Sequence, residues 1–339
     1  MKSLSFFFRH PHPIYFSMEK LFHAVTGEIK TRMEKDFAVW EHNLPFTSKL
    51  SSLRRNIAFV RKRQTQINHI TGDVHYTILG CSNRNINVLT IHDCVLLYHY
   101  PKTSLRHWVI RWLWYQLPVK KADIITVISE NTKRDLLIFT GVPADKIRVI
   151  PNFIDSSFKS VPGNFNRQRP RLLFIGTAPN KNLERTLEAI QGLAVELIVV
   201  GYLTETQTAD LKNKGIAYRL LNKLSDEQMR GVYAEADIML FPSTYEGFGL
   251  PIIEAQATGR PVLTSNLEPM ISVAGEAACL VDPYQTNSIR EGITKLIEDE
   301  PYRNELINKG LKNIGRFQLE KITRQYTDLY HELIERKGI

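Results

Sequence analysis

Short apolar runs, each bounded by glycine, proline or polar residues, recur along the chain and alternate with amphipathic stretches at helical spacing. In the second half the runs at 171–176, 196–201, 218–221, 238–242, 261–264 and 278–281 read as strands. Helical spacing fills 182–193 and 206–214, a stretch opened by the N-cap Ser225, another starting near Pro251, and the final segments 301–314 and 319–336. Most of these strands are continuous apolar runs, as strands buried on both faces are, and they alternate with helices, so the pattern predicts a parallel sheet wound on both sides by helices. The first half repeats the style, with strands at 4–8, 37–41, 67–71, 88–92, 124–128 and 147–150. Its helices are expected at 17–32, 49–63, 105–115 and 131–139.

Residues 156–169 are crowded with Ser, Pro, Gly and Asn and read as the linker between two doubly wound domains. A length of 339 residues suits that division. The expected boundaries are an N-terminal Rossmann-like domain over 1–160, a C-terminal one over 161–316, and a last helix, 317–339, that packs back on the first. Such sheets bind ligands outside the carboxyl ends of their strands, so the chemistry is sought on those edges.

Composition narrows the class. Hydrophobic residues at 43% and charged residues at 23% are globular values and exclude wholesale disorder. A mean hydropathy of −0.22, with apolar runs no longer than a strand, argues against a spanning helix. The N-terminal Phe6-Phe7-Phe8 belongs to a buried strand rather than a secretory signal, because Arg9-His10-Pro11 follows without a small-residue cleavage site. Cys81, Cys94 and Cys279 form no CxxC pair, so neither a disulfide framework nor a zinc site is expected, and a cytoplasmic setting is.

Charge is uneven. Residues 1–165 carry 23 Lys and Arg against 12 Asp and Glu, whereas 166–339 carry 21 against 23. The basic half suits an anionic partner, whether nucleic acid, an acidic membrane surface or a phosphorylated lipid, and equally suits a solvated, soluble face. From Leu105 to Tyr115, and on to Lys120-Lys121, aromatics and cations mix at helical spacing. Two readings fit: a helix lying on an anionic membrane surface, or a domain helix with an apolar core face and a basic outer face. No recognised nucleic-acid module accompanies it, so nucleic acid is not an expected partner.

The most specific segment runs Phe241-Pro242-Ser243-Thr244-Tyr245-Glu246-Gly247-Phe248-Gly249-Leu250-Pro251-Ile252-Ile253-Glu254. A buried strand ends at Phe241, a turn with two glycines follows, and a helix begins where Pro251 suits the first turn. Glycines let backbone N–H groups approach a ligand and the helix N-terminus favours negative charge, which makes a phosphate seat. Glu246 and Glu254 flank it, and carboxylates accept hydrogen bonds from vicinal hydroxyls. A phosphate with sugars on both sides, a nucleotide-sugar, fits this chemistry.

The same segment closely resembles the signature of glycosyltransferase family 4, retaining group 1 enzymes of the GT-B fold. That resemblance implies two doubly wound, Rossmann-like parallel-sheet domains facing a deep cleft, with the donor on the second and the acceptor on the first. It places the transferred sugar on Glu246, the nucleotide ribose on Glu254, and sugar and diphosphate along Gly247, Phe248, Gly249 and Leu250. Phe174-Ile175-Gly176-Thr177-Ala178-Pro179-Asn180-Lys181 resembles the family's glycine-ended strand followed by a basic phosphate-binding residue. Gly176, Thr177 and Lys181 are thereby donor contacts, Lys181 serving the leaving diphosphate; where members often carry arginine, this chain has Thr177 and Asn180. The strand ending Ile91-His92-Asp93 resembles the one whose histidine faces the donor sugar, so His92 joins Glu246 and Lys181 in the expected catalytic set.

On the acceptor side the family often has a Gly-Gly loop, and here Phe8-Arg9-His10-Pro11-His12-Pro13 stands instead. Arg9 and His10 are candidates for an acceptor phosphate, and His69 and Asp73, near the end of another strand, for an acceptor loop. A metal at His10 and His12 is not expected, since no partner carboxylate or cysteine is nearby. The resemblance implies a UDP-, GDP- or ADP-sugar donor and no metal or other cofactor. The acceptor would be a glycan or polyprenyl-linked hydroxyl in polysaccharide or lipopolysaccharide synthesis, and transfer would retain configuration by same-face substitution. Rival readings are a GT-B phosphorylase, a nucleotide-sugar epimerase, and a catalytically silent sugar-nucleotide binder. A nicotinamide dehydrogenase is excluded because no GxGxxG follows the first strand.

Overall fold

The computed structural model describes residues 1–11, 17–99, 101 and 103–338. They form two compact units, Met1–Phe153 with Leu319–Ile339, and Ile154–Gln318. In the first, β1 (Lys2–Phe8), β2 (Phe37–Asn43), β3 (Ile67–Ile70), β4 (Ile86–Ile91), β5 (Ile124–Val127) and β6 (Ile147–Val149) make one sheet in the order β2-β1-β3-β4-β5-β6. Every neighbouring pair is parallel. Side chains alternate across β1: Leu4, Phe6 and Phe8 face one core cluster while Phe7 faces the other, all of them buried. The helices are α1 (Ser17–Arg32), α2 (Leu53–Arg63), α3 (Val95–His99), α4 (Leu105–Ile110), α5 (Leu117–Lys121) and α6 (Glu130–Thr140). The single helix expected over 105–115 is in fact α4, a π turn at Arg111–Gln116, and α5.

The second unit holds β7 (Arg171–Ile175), β8 (Glu196–Val200), β9 (Tyr218–Leu221), β10 (Ile238–Phe241), β11 (Val262–Ser265) and β12 (Cys279–Val281) in the order β12-β11-β10-β7-β8-β9. This sheet is parallel throughout as well. Around it lie α7 (Leu183–Ile190), α8 (Glu205–Asn213), α9 (Asp226–Glu235), α10 (Leu250–Ala257), α11 (Met270–Ala274), α12 (Thr286–Glu298) and α13 (Glu300–Asn313). Thr204 and Ser225 open α8 and α9 with complete capping boxes, which explains why these starts are readable locally. The helix α14 (Leu319–Lys337) returns to the first unit, where Ile322, Tyr326 and Tyr330 join the core beside Phe6 and Phe22.

The boundary falls between Phe153 and Ile154, and the segment that reads as a linker belongs to the second unit. Asp237, almost fully buried, accepts from the Asn166 and Arg171 backbone N–H groups at 3.2 and 2.8 Å and from Arg171 Nε at 2.9 Å. Arg260 Nη2 donates to the Val161 carbonyl at 2.9 Å. Bonds from distant residues, invisible in composition, strap the segment down.

In each sheet the chain reverses its direction of winding at one place: between β1 and β3 in the first, between β7 and β10 in the second. Crevices outside the carboxyl ends of strands open at such switch points.

Candidate functional site

At the switch point of the second unit, the loops after β7 and β10 meet. Gly176 leaves β7 with φ +83°, in the left-handed region, and its N–H bonds the Val200 carbonyl at 2.8 Å. A Cβ there would stand 3.1 Å from Lys181 Cε, so the absent side chain is what lets Lys181 fold back over the strand end. Lys181 closes a 3-10 turn, Pro179–Lys181, and its Nζ reaches Glu246 Oε1 at 2.6 Å and sits 4.8 Å from the centre of the Phe241 ring.

Two asparagines hold these loops together. Asn182 takes φ +67°, which asparagine tolerates better than most residues, and buries its side chain. Its Nδ2 donates to the carbonyls of Pro242 at 3.1 Å and Pro283 at 2.7 Å. Asn180 Nδ2 donates to the Tyr245 carbonyl at 2.9 Å, and its own carbonyl accepts the Thr244 N–H at 2.8 Å. Sequence reasoning missed both as positioning residues; the signal was an Asn-Lys-Asn run between a glycine-ended strand and a helix. Thr177 commits its hydroxyl to the Tyr202 carbonyl at 2.5 Å, which leaves its backbone N–H as the group it can offer a phosphate.

The glycine turn then enters α10. Gly249 is the N-cap at φ +107°, and a Cβ would lie 3.1 Å from Ile252 Cδ1 and 3.4 Å from the Phe241 ring. Phe248 turns its ring into the core, edge-on to Phe317 at 5.7 Å, so only its backbone and those of Gly247, Gly249 and Leu250 remain to meet a ligand. Pro251 occupies the first turn of α10, where its missing N–H costs nothing. Farther along, Glu254 Oε2 accepts from the hydroxyl of fully buried Tyr233 at 2.6 Å. Burial, and then the Glu254 charge, raise the Tyr233 phenol well above its ordinary value. Tyr233, on α9, is a third residue the sequence did not reveal.

In the first unit the candidate residues divide. His92 follows β4 at the carboxyl edge and is 7% exposed, with Nε2 buried and lacking a hydrogen-bond partner. Burial, then His75 and Arg9, depress it to about 3, so the ring is neutral at ordinary pH. A cavity of about 80 Å³ is lined by His92, Gly72, Asp73, His75, Asp93 and Leu96. Asp73 is an exposed residue at this cavity. Crowding by protein and then the Asp93 charge push its carboxyl up to about 7 against the pull of Arg9, and solvent contact weakens that push.

His69 is a correction. It lies within β3 and is fully buried, with Nδ1 2.6 Å from the Tyr330 hydroxyl and Nε2 2.6 Å from Thr90 Oγ1. Both ring nitrogens are used inside the core, so it has nothing to offer an acceptor. Arg9 is corrected in part: its guanidinium is paired with Glu19 of α1, Nη2 standing 2.9 Å from Oε2, rather than presented as a bare cation. His10 places Nδ1 3.1 Å from the Leu44 carbonyl. His12 and Pro13 lie outside the described residues. Among the described residues no group of three or more His, Cys, Asp or Glu is arranged to hold a metal ion.

Comparison with known proteins adds a family. The family described as "Glycosyl transferases group 1" matches residues 155–313, and "Glycosyltransferase Family 4" matches residues 28–158. O-antigen chain mannosyltransferase B of Escherichia coli is 30% identical over 270 residues, spanning 72% of this chain and 69% of its own. MMP alpha-(1->4)-mannosyltransferase of Mycolicibacterium hassiacum is 25% identical over 338 residues, covering 91% of this chain and 81% of its own. Among solved structures, sucrose-phosphate synthase from Thermosynechococcus elongatus superposes with a TM-score of 0.79 at 17% identity, over 99% of this chain and all of that one.

Proposed function

The chain belongs to the group 1 glycosyltransferases of glycosyltransferase family 4, enzymes of the two-unit GT-B fold, and from that premise we propose that it transfers a hexose, with retention, from a nucleoside diphosphate sugar to a glycan hydroxyl. The transferred hexose is mannose in this reading, because the two curated relatives are named mannosyltransferases. The acceptor is a lipid-linked or growing surface glycan, in keeping with the O-antigen chain named for the first relative and with the basic first half. The three free cysteines suit a cytoplasmic reaction.

One observation carries the donor assignment: Lys181 and Glu246 meet at 2.6 Å beside a glycine turn that opens α10, with Glu254 one helical turn in and held by Tyr233. Lys181 supplies a point charge for the diphosphate, and the N-terminal N–H groups of α10 add partial positive charge. Glu246 takes hydroxyls of the sugar and Glu254 those of the ribose. The bond from the anomeric carbon to the diphosphate oxygen breaks as the acceptor oxygen bonds to the same face, and the acceptor proton passes to the departing phosphate. Negative charge grows on the leaving diphosphate, where Lys181 and the helix N-terminus stabilise it. A sugar hydroxyl would give His92 Nε2 the partner it lacks, and Asp73 is assigned to the acceptor side. No metal is assigned a step.

Incubation with labelled GDP-mannose, UDP-glucose or ADP-glucose and a polyprenyl-linked glycan tests the reading, with product configuration read by NMR and EDTA present in a parallel series. Transfer with retained configuration from one donor, unchanged by EDTA, is expected. Phosphorolysis, epimerised nucleotide-sugar, or nucleotide binding without transfer to any glycan would overturn it.

A further inference from the structure

Most surface helices turn their apolar stripe inward. The helix that begins at Leu105 does the reverse. Leu105, Trp108, Val109 and Trp112 follow one another at spacings of three and four residues, which puts them on one face, and they are 80, 52, 41 and 57% exposed. The opposite side buries His107, and the Ser104 hydroxyl caps the helix by accepting the His107 N–H at 3.1 Å. Beyond Trp112 the pattern changes, and Tyr115, Pro118 and Val119 are buried.

The π turn at Arg111–Gln116 explains the change. Each residue advances an α-helix by about 100°. A wide π turn holds the chain back by roughly one residue, so a face that looks outward before it does not continue outward after it. The first two turns thus present tryptophans to solvent, while the last turns pack into the core.

The patch is larger than one helix. Arg111 Nε donates to the Phe139 carbonyl of α6 at 2.9 Å, and its guanidinium lies 5.1 Å from the Trp108 ring. Tyr98 of α3, itself 56% exposed, meets the Phe139 ring edge-on at 5.1 Å. Among the described residues, seven of the fifteen exposed large hydrophobic side chains fall within 95–138, too concentrated for ordinary surface scatter. Over the same range, 95–138, the sequence carries seven Lys and Arg against three Asp and Glu, and one of the three, Asp135 of α6, accepts from the Tyr98 hydroxyl at 2.9 Å.

We propose that the outward face of the Leu105–Ile110 helix, continued by Trp112, docks peripherally on an anionic lipid bilayer. Tryptophan is the side chain best suited to the headgroup level, and each nearby cation adds attraction to anionic lipid. Eight residues rise about 12 Å along a helix, far short of a hydrocarbon core near 30 Å, so the face lies on the membrane rather than in it. Charge complementarity selects lipid over a second copy, since two copies would set this net-positive segment against itself. The inference does not depend on the donor site.

Flotation of the full chain with vesicles of phosphatidylcholine, with and without phosphatidylglycerol, tests it. The parent should bind the anionic vesicles at low salt, release at high salt, and blue-shift its tryptophan fluorescence on binding. The double variant Trp108→Ser, Trp112→Ser should lose at least about tenfold in partitioning, and Arg106→Gln about fivefold. Unchanged circular dichroism and nucleotide binding would establish that both variants fold. Absence of parent binding at low salt, or undiminished binding by the double variant, overturns the proposal. So does a parent dimer in solution that the double variant splits, because a second copy would then cover the face.

Discussion

Lys181 Nζ stands 2.6 Å from Glu246 Oε1, so the cation assigned to the donor diphosphate is bonded to the carboxylate assigned to its sugar. Both side chains are largely shielded, at 20 and 14% exposure, which keeps the pair from being a screened surface contact. A diphosphate bound as proposed would share Lys181 with Glu246. Glu246→Gln should therefore leave affinity for a free nucleoside diphosphate unchanged or raise it severalfold, while turnover drops by at least about a hundredfold. Lys181→Ala should weaken the same nucleotide by about tenfold to a hundredfold. Calorimetric titration beside steady-state rates checks both, and parallel losses of affinity in the two variants would contradict the shared-cation account.

Tyr233→Phe keeps the buried ring and removes only the hydroxyl that Glu254 accepts from at 2.6 Å. Loss of one such bond should lower nucleotide affinity by about twofold to tenfold with kcat nearly unchanged. Glu254→Ala should cost more. In the double variant the tyrosine change should add little, since its effect passes through Glu254. Full additivity in that cycle would show that Tyr233 does not act through Glu254.

Gly176→Ala forces a side chain into a left-handed position at φ +83° and puts its Cβ 3.1 Å from Lys181 Cε. The backbone strain should lower stability by about 1–2 kcal/mol in urea denaturation. The lysine, as a flexible chain, should yield and so leave its place over the strand end. Nucleotide affinity should therefore fall even in conditions where the variant is fully folded, and parent-like affinity there would refute the packing argument.

Acid should loosen the first unit. Burial pushes His69 and His92 down to about 3 and His75 to about 4, with the neighbouring His92 and His75 adding to the first two. Unfolded, each titrates near 6.5. The unfolded chain therefore gains protons first as pH drops below about 6.5, and the stability that these neutral rings represent is fully present above that value and lost on the way down to the folded ones. One such histidine accounts for a loss on the order of 2 kcal/mol by roughly pH 5. Urea denaturation across this range should show the decline, and His69→Gln should flatten it; a level profile in the parent would mean the rings are not held neutral.

Much of this protein is legible from local chemistry. Alternating apolar runs and amphipathic stretches give the two parallel sheets, because burial on both faces demands uninterrupted apolar strands. Capping at Ser225 and the Glu246–Glu254 turn are equally local, since a cap or a glycine acts on residues within one helical turn of itself. Thr286–Glu298 carries a local signal as well, with Ile289, Ile293 and Leu296 at helical spacing.

Tertiary structure decided the rest. His69 and His92 looked alike as histidines near strand ends, yet one meets Tyr330, 261 residues away, and the other ends in an unpartnered nitrogen by a cavity. Arg9 meets Glu19, Asn182 pins two loops through Pro242 and Pro283, and Asp237 fastens what composition marks as a linker. Spacing puts the tryptophans at 108 and 112 on one face, but that this face looks outward, and turns inward by Tyr115, only the folded chain with its π turn decides. Periodicity tells which residues share a face; which partner that face meets depends on contacts between residues far apart in the chain, and these exist only once it has folded.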